Sequence, residues 1–332
     1  MEIGDGNTTG VQSGMTYQDI HLSHTNHWVK DSRNRERQPV HDSWFRTDTA
    51  DYWRHERMYE PVQCFTHRPD LSWLTIGDGR FGLDAIRIRK LGFENVLPTD
   101  IGDALLKKAK ERDLIDDYRV ENAENLSFPD DSFDIVFCKE SYHHFPRAPV
   151  ALFEMIRACR EAVILVEPRD QAVDGPTSLL AGPRQMLKAL VRWLAARLGY
   201  GSGVQVVPSA LYKLGNQPAY EDSGNYVYTV SSREIEKAAL GANLPAIALK
   251  GLNDHYVKGC EFEPADETSL IFREIKRQVT AADARARTGR SSTALLMAIL
   301  FKREPDPQTR KCLSEQGWLI RDLPRNPYIL SA

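Results

Sequence analysis

From residue 71 onward, short apolar runs alternate with helical segments, and this regularity constrains the fold more than any other feature of the chain. LSWLTI, ENVLPTD, a run within DYRVENAENL, SFDIVFCKE and EAVILVEP read as five strands. LDAIRIRKLG, DALLKKAKERDLI and APVALFEMIRACR read as helices between them, the first closed by Gly92 as a C-cap. Such alternation predicts an α/β protein with a doubly wound, mostly parallel sheet. The apolar cores of the strands fit burial on both faces. The pattern breaks at 171–230 and then resumes. SSREIEKAALGAN starts a helix at a serine, LPAIALKGLND is a sixth strand, ETSLIFREIKRQVTAADARARTG is a further helix and TALLMAILFKRE is a seventh strand.

The expected organisation is therefore a core at 71–170 and 228–303. A polar arm at 1–43 and a cap region at 44–70 precede it. A helical insertion or lid occupies 171–227, and a Pro-containing tail at 304–332 packs on the body. In the cap, Asp48 or Thr49 can start a helix running to about Glu60. Its aromatics either pack on the core or close over a ligand. In the arm, His21, His24 and His27 recur every third residue; on a helix that spacing walks around the cylinder, so they read as solvated side chains. Within the insertion, 184–200 forms a basic amphipathic helix that can serve as a lid or lie on a membrane surface.

Composition narrows the partners. The 332 residues carry 43 Lys+Arg against 46 Asp+Glu, a net charge of −3, so the basic footprint of a nucleic-acid binder is absent. No apolar run approaches the ~18 residues of a membrane span, and the first residues lack the pattern of a secretory signal. Cys64, Cys138, Cys159, Cys260 and Cys312 are odd in number, scattered and without CxxC. Neither a disulfide framework nor a zinc site is expected, and a reducing cytoplasm fits such usage. The oligomeric state stays open, a homodimer being one option.

The chemistry concentrates in the first half of the core. Gly77, Gly79 and Gly82 stand as GxGxxG between a strand and a helix, where the backbone can approach a ligand closely. Asp100 ends the next strand, where a carboxylate can accept hydrogen bonds from ribose hydroxyls. These features alone fit any nucleoside-containing cofactor, a nicotinamide dinucleotide included. Two further stretches are more specific: Asn122-Ala123-Glu124, followed by Leu126 and FPDDSFD, and Cys138-Lys139-Glu140-Ser141-Tyr142-His143-His144-Phe145 ending strand four. Over about 71–170 the chain resembles the class I S-adenosylmethionine-dependent methyltransferases, most closely the small-molecule group that includes the quinone-biosynthesis C-methyltransferases.

That resemblance implies a seven-stranded Rossmann-like sheet and S-adenosylmethionine as cofactor, with S-adenosylhomocysteine as product. It places Gly77, Asp78, Gly79 and Gly82 at the methionine end of the cofactor. Asp100 falls on the ribose, Ile101 on the adenine, and Asn122, Ala123 and Glu124 near the adenine edge. Backbone around Lys139 completes the pocket. Three positions depart from the family pattern: Thr75 replaces an acidic residue, Phe81 stands where the third glycine usually falls, and Asn122 replaces an aspartate.

Methyl transfer to oxygen or nitrogen also needs removal of a proton. Candidate bases beyond strands four and five are His143, His144 and Glu140, of which at most one of the two histidines is expected to face the acceptor. Tyr52, Trp53, Arg54, Tyr142 and Glu167 are candidate acceptor contacts, with His55 in the 44–67 segment and Tyr212 and Tyr220 in the 171–230 insertion. The expected activity is methyl transfer to a small-molecule acceptor, most simply at oxygen, in natural-product or carbohydrate biosynthesis. N- or C-methylation, and a non-catalytic protein that only binds the cofactor, stay open.

Overall fold

The computed structural model of the chain describes residues 16–175, 220–221 and 225–329. Most of the expected insertion, including 184–200 and Tyr212, lies outside the described residues. Among those described, one sheet contains β1 (Trp73–Ile76), β2 (Val96–Asp100), β3 (Arg119–Val120), β4 (Phe133–Lys139), β5 (Cys159–Pro168), β6 (Ala246–Leu252), β7 (Leu295–Phe301) and β8 (Leu319–Asp322). Their order is β3-β2-β1-β4-β5-β7-β6-β8. The first five run parallel. β7 is antiparallel to both neighbours, and β8 pairs antiparallel with β6 at the edge. The expected seven strands are thus extended to eight, because the tail contributes an edge strand.

Alternation along each strand sends side chains to two buried layers. On one face Leu74, Val136, Val163, Leu165 and Ala298 pack with Leu152 and Met155 of α7 (Ala148–Ala158) and Ile235 of α8 (Ser232–Gly241). On the other face Trp73, Phe137, Ile164, Met297 and Phe301 pack with Met58, Tyr59, Val62 and Phe65 of the cap and with Leu313 of α10 (Pro307–Glu315). The remaining core helices are α5 (Leu83–Lys90), α6 (Ala104–Glu111) and α9 (Leu270–Arg287). Strand order reverses between β1 and β4, and open α/β sheets bind ligands in the crevice at such a point.

The N-terminal elements are α1 (Tyr17–Arg33), α2 (Gln38–Ser43), α3 (Ala50–Glu56) and α4 (Glu60–Gln63). From residue 17 the expected loose arm is a helix, started by a reciprocal cap between Thr16 and Asp19. Its exposed Tyr17 and Leu22 leave no apolar stripe to read in the sequence. α3 begins as expected, with Thr49 Oγ1 accepting the Tyr52 N–H at 3.1 Å. Cys64 and Cys312, 248 residues apart, form a disulfide with Cα atoms 5.4 Å apart. This corrects the expectation of five separate thiols; the pairing exists only once the sheet is closed between the two cysteines. Cys138, Cys159 and Cys260 are free and buried.

Phe81 carries the attachment of α2. Its φ of 61° lies in the left-handed region, at the position where the family pattern has glycine. A non-glycine residue there costs of order 1–2 kcal/mol. The ring is nonetheless 1% exposed, edge-on to Phe45 at 5.2 Å and Trp44 at 6.2 Å, and packed with Leu105, Leu106 and Ile115. Burial of the aromatic outweighs the strain. Phe81→Ala is expected to lose ~3–5 kcal/mol of unfolding free energy. Phe81→Gly, free of the left-handed penalty, should be about 1 kcal/mol more stable than Phe81→Ala despite lacking its methyl. Urea denaturation of both variants checks this inverted order.

Candidate active site

The turn after β1 is held from below by a buried carboxylate. Asp78 accepts the Thr75 hydroxyl at 2.8 Å and the N–H groups of Asp84 and Ala85 at 3.0 and 2.9 Å. Thr75, standing where the family has an acid, therefore supports an acid three residues later. The Asp78 side chain is committed to the start of α5, and the residue also borders the cavity. Gly82 is also corrected. Its φ is +68°, and a Cβ there would meet Ile115 and Pro98, on the core side of the loop.

Gly77 and Gly79 remain on the ligand side. A Cβ at Gly77 would lie 2.4 Å from the Ser141 Cβ, and one at Gly79 would lie 2.7 Å from the Asp100 carboxylate. Only glycine lets the turn pass so close to the ends of β2 and β4. The Asp100 carboxylate accepts the Gly102 N–H at 2.8 Å. Burial pushes its pKa up to about 6, against the backbone amides of Gly102, Gly79 and Ile101 that favour the charged form. This acid has acceptor capacity left and little water, so it is suited to receive hydroxyl donors.

Beyond β3, Asn122 Oδ1 accepts the Glu124 N–H at 3.0 Å, which turns the chain. Glu124 is bound to the Arg147 backbone N–H and Nε, both at 2.7 Å. Asn122 Nδ2 lies 3.4 Å from His21 Nδ1, and His21 Nε2 lies 3.6 Å from Glu124. Helix α1 thus lies over this end of the site. His21, His24 and His27 all line the cavity; His21 and His24 are half-buried, which corrects their reading as solvated side chains, while His27 is exposed. Steps of three drift by only about 60° on a helix, so three such residues fit within one broad face.

The end of β4 is organised by Glu167, which is 1% exposed. Its Oε1 accepts the N–H groups of Ser141 and Tyr142, both at 3.0 Å, and its Oε2 lies 2.7 Å from His143 Nδ1. Ser141 Oγ in turn donates to the Gly77 carbonyl at 2.8 Å, tying the two loops together. Burial alone would lower the His143 pKa, but the hydrogen bond and charge of Glu167 raise it above its ordinary value. Glu167 is therefore a positioning group for His143, not the acceptor contact expected. Tyr142, 3% exposed, packs edge-on to Tyr228 and is likewise withdrawn from the cavity.

His144 also borders the cavity, with its ring 3.9 Å from that of His143 and Nδ1 2.6 Å from Glu221. Both histidines, not one, face the space. Glu140 adopts a φ of 50° and sits 3.5 Å from Lys139 Nζ and 3.4 Å from His55 Nδ1. Burial would raise its pKa, yet Lys139, His55 and Arg80 hold it down to about 2. Such a carboxylate is a fixed charge and a poor proton acceptor. Burial first, and the neighbouring Lys139 second, push the His55 pKa well below its ordinary value.

These elements enclose a cavity of about 1150 Å3, bordered by Gly77, Asp100, Ile101, Asn122, Ala123, Glu124, Lys139 and Glu140 among others. It exceeds the ~300–1,000 Å3 typical of pockets for one small ligand, so it has room for two. Of the expected acceptor contacts, Arg54 lines it but is held by Asp254 and, at 2.8 Å, by Asp51. Tyr52 stands in a side recess, and Trp53 packs on Phe272 outside the cavity. Tyr220 lines it. The loop with Tyr256, Lys258, Glu261 and Phe262 also forms a wall; nothing in its sequence singles it out before β6 and α9 bring it there.

A glycine turn opposite an acid at the switch point of a 3-2-1-4-5-7-6 sheet defines a Rossmann-like nucleotide-cofactor fold, and residues 74–166 match the family described as Methyltransferase domain. The match covers less than a third of the chain and makes this segment similar to methyltransferase domains. Over 101 residues the chain is 35% identical to a 2-methyl-6-phytyl-1,4-hydroquinone methyltransferase of Synechocystis, an alignment covering 30% of this chain and 31% of that protein. The chain thus spans about a third of the length of that curated relative. Among solved structures it is similar to magnesium protoporphyrin IX methyltransferase from Synechocystis PCC 6803 with bound SAM, at 9% identity and TM-score 0.45, covering 87% of this chain and 99% of that one. It is also similar to the trans-methyltransferase CalH in complex with SAH, at 18% identity and TM-score 0.30, covering 35% and 36% of the two chains. Among the described residues no helix is long and apolar enough to cross a membrane, and no cluster of side chains is arranged to hold a metal ion.

The Glu167–His143 pair gives a direct test of the site. In Glu167→Gln the charge that raises the His143 pKa is gone while burial persists, so its pKa should fall below the ordinary imidazole value. A pH titration of the His143 ring resonances by NMR measures this.

Proposed function

We propose that the protein is an S-adenosylmethionine-dependent methyltransferase acting on a small molecule, with oxygen as the accepting atom. One observation carries the reading: the Asp100 carboxylate faces Gly79 across a gap that no side chain could share, while His143 borders the same cavity on its Glu167 support. The glycine turn and Asp100 fit a ribose, and Ile101 and Asn122–Glu124 stand where an adenine would extend. When bound, the cofactor supplies a sulfonium-activated methyl group for in-line displacement.

The chain's own tasks are positioning and proton removal. Enclosure by α1, α3 and the 255–262 loop limits water and holds an acceptor against the turn. His143 takes the acceptor proton at Nε2, because Nδ1 faces Glu167. Glu167 stabilises the imidazolium that forms, and Glu140, already charged, serves the field of the site. His144, on Glu221, borders the same space and is a second candidate base. Carbon as the accepting atom is the second reading, in keeping with the resemblance of 71–170 to quinone-biosynthesis C-methyltransferases.

Calorimetric titration with S-adenosylmethionine and S-adenosylhomocysteine, followed by transfer of labelled methyl to candidate acceptors, tests the reading. Absence of binding by both would overturn it. Asp100→Ala should weaken binding by roughly ten- to a hundredfold, the worth of a charge-assisted hydrogen bond. In the wild type the carboxylate form of Asp100 is the one that accepts ribose donors. With its pKa at about 6, affinity should be flat above pH 7 and fall about tenfold by pH 5. His143→Gln should lower kcat by ~10²–10⁴ with cofactor affinity unchanged. The acid limb of the wild-type rate profile should lie above pH ~6.5, since the base must be neutral and its pKa is raised.

A further inference from the structure

The loop after β6 meets the start of α3 and forms one wall of the main cavity. Their backbones are joined: the Ala50 N–H donates to the Glu263 carbonyl at 2.8 Å, and the Asp51 N–H to the Cys260 carbonyl at 3.0 Å. Arg54, 6% exposed, fastens the near end of the loop. Its Nε donates to Asp254 at 3.0 Å and its Nη1 to Asp51 at 2.8 Å.

Tyr256 is held on this frame at two points. Its hydroxyl donates to Glu261 at 2.9 Å, and its ring lies against the Arg54 guanidinium, 5.2 Å from the ring centre. The residue is nevertheless 54% exposed and borders the cavity. Phe262, 46% exposed, borders it from the same loop. Scattered exposed aromatics are ordinary on a protein surface, but these two share one pinned wall of a cavity with room for a second ligand. A fixed tyrosine offers a large flat contact at little cost in conformational entropy. A cation on one face draws charge out of the ring, so the other face pairs best with an electron-rich ring.

This wall stands on the half of the sheet opposite Asp100 and Asn122. β6 lies beyond β4, β5 and β7 from β1, whereas β2 and β3 lie on the other side of β1. His55, next to Arg54 in α3, reaches Glu140 at 3.4 Å, at the root of the loop that carries His143. A molecule resting on Tyr256 is therefore directed toward the end of β4.

We propose that Tyr256 is a stacking platform for the methyl acceptor, and that it selects a planar, hydroxylated aromatic ring. The proposal rests on the methyltransferase reading in one respect, that the molecule on the platform is the acceptor.

The experiment is calorimetry on the full chain saturated with S-adenosylhomocysteine. The probes are 2-naphthol and its saturated counterpart decahydro-2-naphthol, which has the same hydroxyl but no ring face. Wild type should bind 2-naphthol about five- to tenfold more tightly, the worth of an aromatic pair beyond its buried area. Tyr256→Phe should keep that ratio, and Tyr256→Leu should bring it close to one. A ratio indifferent to Tyr256→Leu, or no preference in the wild type, overturns the platform. Displacement of S-adenosylhomocysteine by 2-naphthol overturns it as well, because the ring would then occupy the other half of the cavity. If S-adenosylhomocysteine does not bind the wild type, the methyl-donor reading fails, and the same ratio on the unliganded protein decides the platform. Should Tyr256→Leu not fold by circular dichroism, NMR of the wild type decides. Bound 2-naphthol should shift the Tyr256 ring resonances upfield, and unshifted resonances overturn the proposal.

Discussion

The candidate site depends on one buried carboxylate. Glu167 leaves β5 with almost no access to water, and a charge so placed must be fully bonded to be tolerated. It meets this demand with the Ser141 and Tyr142 amides and the His143 ring, three donors from the loop that follows β4. The loop therefore has one conformation available. Ser141 then reaches the Gly77 carbonyl and couples that loop to the glycine turn after β1. The geometry of His143 and of the glycine turn is thus inherited from a single buried carboxylate in the sheet.

A second buried acid, Asp78, does the same for the start of α5, and a strained aromatic completes the frame. Phe81 accepts an unfavourable backbone so that its ring can seat the cap. The cap contributes His55 and Arg54 to the cavity. The residues that depart from the family pattern, Thr75 and Phe81, therefore have roles in the fold. A polar turn partner for Asp78 and an anchor for the N-terminal helices explain them without any loss of the ligand cradle.

Much of this arrangement was legible in the residues. β1, β2, β4 and β5 are apolar runs between helices, and the turn glycines and Asp100 follow from their places at strand ends. Gly77, Asp100 and the His143–His144 pair gather around one cavity. Other features were hidden for physical reasons. α1 docks through histidines, and polar contacts leave no periodic signal. Glu167 and Tyr142 stand at strand ends like ligand groups, and only tertiary burial shows that they support others. Arg54 and Trp53 look like acceptor contacts until Asp254 and Phe272, some 200 residues later, engage them. β8 is mostly exposed, so its short sequence lacks a strand's apolar alternation.

The disulfide joins a residue just before β1 to one in the helix after β7. Seven of the eight strands lie within the bracket it closes. Tension applied at the two ends of the chain is carried across the sulfurs and not through the hydrogen-bonded ladder. A pulling machine can peel the edge strand and the N-terminal helices, but it meets a covalent stop before the cofactor cradle. Reduction would turn the same sheet from a closed loop into a thread that can be drawn out strand by strand.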